Sequence, residues 1–108
     1  MRFLVFLVAA AALQPGDTVP PAARVTIQTF QFAPDTLRVA AGTKVIWTNQ
    51  DDIEHTVTVG TPPKRGAAFD AVLKTKGSTI ERTFARPGTF TYFCDRHQFM
   101  RGTITITR

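Results

Sequence analysis

The sequence predicts an all-β protein in which two packed sheets enclose one core, and three observations support this. Short runs rich in Val, Ile, Thr and Phe fill the chain after residue 23, and none has the apolar spacing of an amphipathic helix. Gly, Pro, Asp and Asn separate these runs, as expected of tight connections between strands. Apolar residues recur on one face of several runs, which favours a β-sandwich over an open sheet.

Seven runs are predicted as strands, and turn residues such as Gly42 and Gly77 lie between them. The runs are Arg24 to Phe30, Thr36 to Ala40, Thr43 to Asn49, His55 to Gly60, Ser78 to Phe84, Thr89 to Cys94 and Thr103 to Thr107. Because successive side chains of a strand point to opposite faces, His55 and Cys94 should both face the core from strand ends. We therefore expect the imidazole of His55 and the thiol of Cys94 to meet at one end of the sandwich.

Aromatic residues are predicted mainly in the core. Trp47 and Phe90 are large and apolar, and residues of this kind dominate the cores of sandwiches. Phe93 should point to the outer face of its strand, where it is either an exposed docking aromatic or covered by a loop. Lys64 and Arg65, in the stretch TPPKRG, are predicted in a solvated loop.

The N-terminus has the pattern of a signal peptide. Arg2 precedes eleven apolar residues, Phe3 to Leu13, and a Pro-rich polar stretch follows. The apolar run is shorter than the roughly 20 residues needed to span a membrane. We expect residues 1–12 to be a cleaved signal peptide, residues 13–23 a flexible leader and residues 24–108 one domain. The mature protein should then be exported, to the periplasm or the extracellular space, without stable membrane insertion.

The charge of the chain limits the classes of partner. The formal net charge is +5, and the basic residues are scattered along the sequence instead of forming a block. This distribution argues against nucleic acid as a partner. A mild positive field is more simply a feature that maintains solubility or steers an acidic protein partner.

A lone cysteine near the C-terminus, in the stretch YFCDRHQFM, is followed by two further metal-binding side chains at regular spacing. Cys94, His97 and Met100 follow one another at intervals of three residues, in a chain with one Cys, two His and two Met. His55 is the other histidine. Two imidazoles, a thiolate and a weak axial thioether form the ligand set of a blue-copper electron-transfer site, whereas zinc favours additional Cys, His or carboxylate ligands.

Each of these residues also has a purely structural interpretation. Met100 can fill an apolar gap, Cys94 can act as a small buried hydrophobe, and His55 can be a hydrogen-bonded core histidine. In an exported chain, however, a lone thiol without an intramolecular disulfide partner is intermolecular, reactive or bound to a metal. The four residues together therefore favour a mononuclear copper site.

Two stretches resemble the cupredoxin family, most closely its amicyanin and plastocyanin members. VIWTNQDDIEHTVTV is similar to the family's pattern around the first histidine, and GTFTYFCDRHQFMRGTITI is similar to its final ligand loop and last strand. The resemblance extends from Val25 to Thr107 and implies an eight-stranded Greek-key sandwich. It also implies copper held under one end of the sandwich and transfer of single electrons between larger redox proteins.

The resemblance further implies a role for each candidate residue. Cys94 supplies the thiolate, His55 the buried imidazole, His97 the exposed imidazole and Met100 the weak axial ligand. Asn49 matches the asparagine that braces the two ligand loops in the family, an arrangement that keeps ligand geometry fixed in both oxidation states.

Departures from the amicyanin pattern lead to two further expectations. Arg96 and Gln98 stand where prolines usually flank the second histidine, and Glu54 stands where a proline often precedes the first. Arg96 has a backbone N–H that proline lacks, and we expect this amide to donate to the Cys94 sulfur and raise the reduction potential. Asp95, Arg96 and Gln98 should also make the surface around His97 more polar than the apolar docking patch expected of the family.

The leading prediction is an exported, monomeric one-electron carrier that exchanges electrons with a redox protein donor and acceptor. It is not expected to be an enzyme, because four protein ligands would leave no open metal position for a substrate. Two other classes remain open: a copper chaperone or storage protein that delivers metal to an exported oxidoreductase, and a metal-free interaction module on the same sandwich. A chaperone would favour spare Met and His side chains, and the sequence has only Met1 besides the candidates.

Overall fold

β-strands occupy most of the chain that the computed structural model describes, which is residues 21–108 without the side chains of residues 67 and 68. The strands are β1 (Ala22–Gln28), β2 (Gln31–Ala33), β3 (Thr36–Ala40), β4 (Thr43–Asn49), β5 (His55–Thr61), β6 (Lys64–Leu73), β7 (Thr79–Phe84), β8 (Gly88–Cys94) and β9 (His97–Thr107). The predicted signal peptide and residues 13–20 of the predicted leader lie outside the described residues, whereas Ala22 and Ala23, at the end of the predicted leader, belong to β1. Within residues 21–108, no helix has the length and apolar character needed to cross a membrane.

The strands form two sheets, with the orders β2-β1-β4-β7 and β3-β9-β8-β5-β6. β1 pairs with β4 and β3 pairs with β9 in parallel, while the remaining pairs are antiparallel. Since consecutive strands often lie in different sheets, the chain crosses repeatedly between the two layers, as in a Greek-key sandwich. The predicted all-β sandwich is confirmed, with nine strands in the described part where about eight were expected.

The core lies between the inner faces of the two sheets. β4 shows the alternation clearly, because Val45, Trp47 and Asn49 are buried and their neighbours are less so. The Trp47 ring packs edge-on against Tyr92, with ring centroids 5.6 Å apart. Phe90 is half-buried and packs against this cluster. The predicted core positions of Trp47 and Phe90 are therefore confirmed.

Strand pairing brings the candidate ligands to one end of the sandwich. Asn49 ends β4 and His55 begins β5, so the connection between them lies at that end. Cys94 ends β8 and His97 begins β9, and the two residues pair across a two-residue turn. The spacing of Cys94 and His97 in sequence is therefore the spacing of a tight hairpin.

Several strands and one side chain differ from the sequence prediction. β9 begins at His97, whereas the prediction began it at Thr103. β6 was not predicted, and Lys64 and Arg65 at its start were expected in a solvated loop. Its Gly and Ala residues hide the usual alternation of a strand. It pairs with β5 over most of its length. The short β2 was also missed. Phe93 is fully buried, so the suggestion of an exposed docking aromatic is wrong.

Candidate metal centre

Three candidate ligands converge at this end of the sandwich. The Sγ atom of Cys94 lies 3.7 Å from Nδ1 of His55 and 3.7 Å from Nδ1 of His97. The three donor atoms all lie within 4.8 Å of one another. Metal bonds of about 2.0–2.3 Å to nitrogen and sulfur place two such donors about 3.7 Å apart when they meet at about 120°. The spacing therefore suits a single metal ion in a trigonal plane.

Cys94 is held in this position by its strand and by a backbone amide. It is fully buried at the end of β8. The N–H of Thr56 donates to its sulfur, with a nitrogen–sulfur distance of 3.4 Å. This hydrogen bond fixes the sulfur at the position where the two imidazoles face it.

His55 is buried and has a carboxylate on its outer nitrogen. Its Nε2 lies 2.8 Å from Oδ2 of Asp51, and its Nδ1 faces the Cys94 sulfur. Because an ionised carboxylate accepts a hydrogen bond, it favours the tautomer with the proton on Nε2. The Nδ1 lone pair is then free to bind a metal. Asp51 was not among the predicted site residues.

The Asp51 side chain is mostly buried, with 13% of its surface exposed. Burial alone would raise its pKa, but the amides of Phe30 and Thr29 donate to its oxygens and His55 lies against it, so the pKa is lowered overall. The carboxylate therefore stays ionised at neutral pH beside the buried imidazole. Its negative charge and its hydrogen bonds both hold the His55 ring in place.

His97 is half-buried and lies next to exposed aromatic rings. The ring of Phe30 is 4.9 Å from the His97 ring and that of Phe99 is 6.3 Å away, between centroids. Phe99 is 70% exposed and Phe30 is 36% exposed. Ile53, in the loop before His55, is also exposed. This end of the molecule is therefore more apolar than the sequence predicted.

The charged residues near the site are largely paired. Arg96 is exposed as expected, but its side chain forms an ion pair with Glu54. Asp95 forms an ion pair with Arg65. These two ion pairs neutralise opposite charges within the protein. The surface around His97 is therefore less polar than the sequence predicted.

Met100 lies on the inner face of β9, where it is 2% exposed and belongs to the same buried cluster as Cys94. It shares this face with Gly102 and Ile104, which are also buried in the alternating pattern of the strand. Its role as an axial ligand stays a prediction.

Asn49 braces the loop that leads to His55. Its Nδ2 donates to the carbonyl oxygens of Ile53 at 2.8 Å and Leu73 at 3.3 Å, and its Oδ1 accepts from the Asp51 amide at 2.9 Å. These contacts reach the loop before His55 and Leu73 of β6. The expected role of Asn49 in joining this loop to the segment from Cys94 to Met100 stays a prediction.

Thr56 makes the connection between the two segments. Its amide donates to the Cys94 sulfur, and its hydroxyl oxygen accepts from the Asp95 amide at 2.8 Å. The expected hydrogen bond from the Arg96 amide to the same sulfur stays a prediction. Thr56 therefore holds Cys94 through its main-chain amide and the following residue, Asp95, through its hydroxyl.

A polar network covers the outer face of the sheet beneath the site. The hydroxyls of Thr56 and Thr58 lie 2.9 Å apart, and that of Thr58 donates to Asp70 at 2.9 Å. Arg65 donates to Asp70 at 3.0 Å and also pairs with Asp95. Thr58 pairs with Phe93 on the neighbouring strand, so this network lies beside the Phe93 side chain. Its location agrees with the burial of Phe93 on the outer face of the sheet.

Sequence reasoning thus missed three residues that support the site: Phe30, Asp51 and Thr56. Asp51 and Thr56 lie close to His55 in sequence, and this proximity is the only signal that pointed to them. Phe30 gave no signal, because it reaches the histidines from a different part of the chain. The residues His55, Cys94 and His97 were predicted and are brought together.

Comparison with known proteins agrees with the geometry. The model of the family of copper-binding proteins of the plastocyanin and azurin type matches residues 21–107. Amicyanin-alpha of Methylorubrum extorquens is 29% identical over 99 residues, which cover 91% of this chain and 83% of the relative.

Solved structures extend the likeness to three dimensions. A purple cupredoxin from Nitrosopumilus maritimus aligns with a TM-score of 0.71 and 25% identity, covering 79% of this chain and 99% of the other. An oxidised amicyanin variant aligns with a TM-score of 0.71 and 27% identity, covering 85% of this chain and 88% of the other.

The fold and the site define a cupredoxin. The chain belongs to the plastocyanin and azurin family of copper-binding proteins and is amicyanin-like within it. Its cofactor is copper, and His55, Cys94 and His97 are poised as ligands, as in type 1 sites.

Proposed function

We propose that this protein is an exported type 1 copper protein that carries single electrons between redox proteins. The convergence of two imidazoles and one thiolate on a point beneath the protein surface is the observation that supports this most strongly. Copper bound there would supply the Cu(II)/Cu(I) couple.

The protein's own residues would keep the ligands in place during electron transfer. Cys94 and His55 are fully buried. The Thr56 amide donates to the Cys94 sulfur, and Asp51 contacts Nε2 of His55, the nitrogen opposite the metal-facing Nδ1. Met100 would provide the axial thioether. A rigid ligand set of this kind needs little rearrangement when the oxidation state changes, which keeps transfer fast.

Electrons would enter and leave through the half-buried His97. The exposed rings of Phe30 and Phe99 lie beside it, so a partner can exclude water there by apolar contact. Next to the site, Arg96 pairs with Glu54 and Arg65 with Asp95, and the chain as a whole has an excess of basic residues. We expect that excess to steer an acidic redox partner at long range.

The remaining parts of the proposal rest on the sequence. Export rests on the signal-peptide pattern of residues 1–12, and the absence of enzymatic activity rests on a ligand set that fills the metal. We expect a monomer without nucleic acid or stable membrane insertion. The Arg96 amide would raise the reduction potential, and an Arg96→Pro variant with an unchanged potential would contradict that part.

Voltammetry of the copper-loaded protein tests the proposal against the copper-chaperone alternative. We expect a reversible one-electron wave, with Cu(I) retained when the reduced protein is mixed with a Cu(I) chelator. A protein that gives up its copper to the chelator on reduction, without a reversible wave, would be a delivery protein instead. Cys94→Ala is the matched control and should give neither the wave nor stable copper.

A further inference from the structure

The turn between β1 and β2 has an unusual backbone for its sequence. Its two central residues, Thr29 and Phe30, have φ values of 53° and 58°. Hairpin turns of this kind normally use Asn or Gly at these positions, because both central residues must adopt left-handed angles. Thr is β-branched and Phe is bulky, so both are strained in this conformation. The surrounding structure must therefore hold the turn in place.

One carboxylate holds both residues. Oδ1 of Asp51 accepts from the Thr29 amide at 2.7 Å, and Oδ2 accepts from the Phe30 amide at 3.0 Å. The same Oδ2 contacts Nε2 of His55 at 2.8 Å. Asp51 is itself fixed by Asn49, which accepts its amide. The strained turn and the buried histidine thus depend on the same side chain.

The turn directs the Phe30 ring toward both histidines. The ring stands edge-on to His55, at 5.4 Å and 86°, and edge-on to His97, at 4.9 Å and 85°. The two imidazoles are 5.2 Å apart at an angle of 64°. Perpendicular ring pairs at these distances attract each other and limit rotation. Phe30 therefore restrains the half-buried His97, which lacks the close packing of His55.

We propose that Phe30, held by Asp51 in the strained Thr29–Phe30 turn, is a positioning residue for both histidines of the metal centre. It keeps the His97 imidazole directed at the metal position and so slows the loss of metal. This inference rests on the proposed copper site, and its tests include measurements on the metal-free protein.

The first test uses Phe30→Gly, which is compatible with the left-handed turn and removes the ring. Copper should leave the Cu(II)-loaded variant for excess EDTA roughly two- to tenfold faster than the wild type, since the ring contacts are lost. Thr29→Asn keeps the ring and eases the turn, so its rate should be unchanged or slower. Phe99→Ala removes an aromatic that lies farther from His97, and its effect should be smaller than that of Phe30→Gly.

The second test uses NMR of the metal-free protein. Removing the Phe30 ring should increase the mobility of the His97 ring in NMR relaxation measurements, and Asp51→Asn should speed hydrogen exchange of the Thr29 and Phe30 amides by roughly tenfold or more. A Phe30→Gly variant that retains either its copper-loss rate or its His97 mobility would overturn the inference. Failure of the wild type to bind copper would instead contradict the proposed function, and the NMR measurements would still decide the role of Phe30.

Discussion

The two segments that carry the candidate ligands are held in different ways. The segment from Asn49 to His55 is a loop whose shape depends on buried polar side chains, above all Asn49 and Asp51. The segment from Cys94 to Met100 is a hairpin whose shape depends on strand pairing and apolar burial. The loop should therefore be sensitive to loss of single hydrogen bonds, and the hairpin to disturbance of its packing.

The largest effect is expected from Asn49→Ala in the loop. The substitution removes the donor to the Ile53 and Leu73 carbonyls and the acceptor of the Asp51 amide, all at a fully buried position. Leaving such groups unpaired should lower the free energy of unfolding by about 2–4 kcal/mol. The exposed neighbour gives a matched control, Gln50→Ala, which should cost about 0.5 kcal/mol or less in the same urea titration. Equal losses in the two variants would show that Asn49 does not support the loop.

Tyr92 lies in the strand that ends at Cys94, and its ionisation tests how strongly apolar burial stabilises this segment. Burial raises its pKa from 10.0 to about 12. Between these values the unfolded state binds fewer protons than the folded state, so the free energy of unfolding falls as pH rises. The loss should reach about 2–3 kcal/mol above pH 12 and be absent below about pH 10.

Urea unfolding at about pH 9 and about pH 11.5 measures this loss, and Tyr92→Phe is the control. The hydroxyl has no hydrogen-bond partner among the described residues, so the variant should fold normally at neutral pH. Its stability should fall less than that of the wild type on the alkaline side. The same alkaline loss in both proteins would mean that Tyr92 is not the group responsible.

Thr56 tests the connection between the two segments. Thr56→Val keeps the shape of the side chain but removes the acceptor of the Asp95 amide and the contact with the Thr58 hydroxyl. We expect a loss of about 1–2 kcal/mol, whereas Thr56→Ser should retain most of the stability. If valine and serine behave alike, the hydroxyl does not connect the segments.

The smallest effect is expected at the exposed ion pair between Glu54 and Arg96. Because the Arg96 side chain is 61% exposed, solvent screens the attraction. Glu54→Gln should change the free energy of unfolding by about 0.5 kcal/mol or less. A larger loss in a urea titration would show that this pair helps to hold the two segments together.

The difference between the segments also explains what the sequence could predict. Cys94, His97 and Met100 are close in sequence, so their regular spacing by itself indicates a metal site. His55 joins this predicted ligand set because it is the other histidine of the chain and is predicted at a strand end. Asp51 and Phe30 contribute through contacts between the β1–β2 turn and the later loop, and local spacing carries no information about such contacts.

The errors in the strand prediction have related causes. Alternation showed correctly that Phe93 points away from the main core, but it could not show that Thr58 and its polar neighbours close that face. β6 was missed because Gly66 and several alanines weaken the alternating pattern, although pairing with β5 still forms the strand. Contacts between strands therefore determine both the burial of Phe93 and the formation of β6.

Visible absorption after addition of one equivalent of Cu(II) to the purified protein shows whether the three converging ligands hold a type 1 copper. We expect an intense thiolate-to-copper band that disappears on mild reduction, returns on reoxidation and is missing from Cys94→Ala. A pale spectrum, or a band that survives in Cys94→Ala, would show that His55, Cys94 and His97 do not hold a type 1 copper.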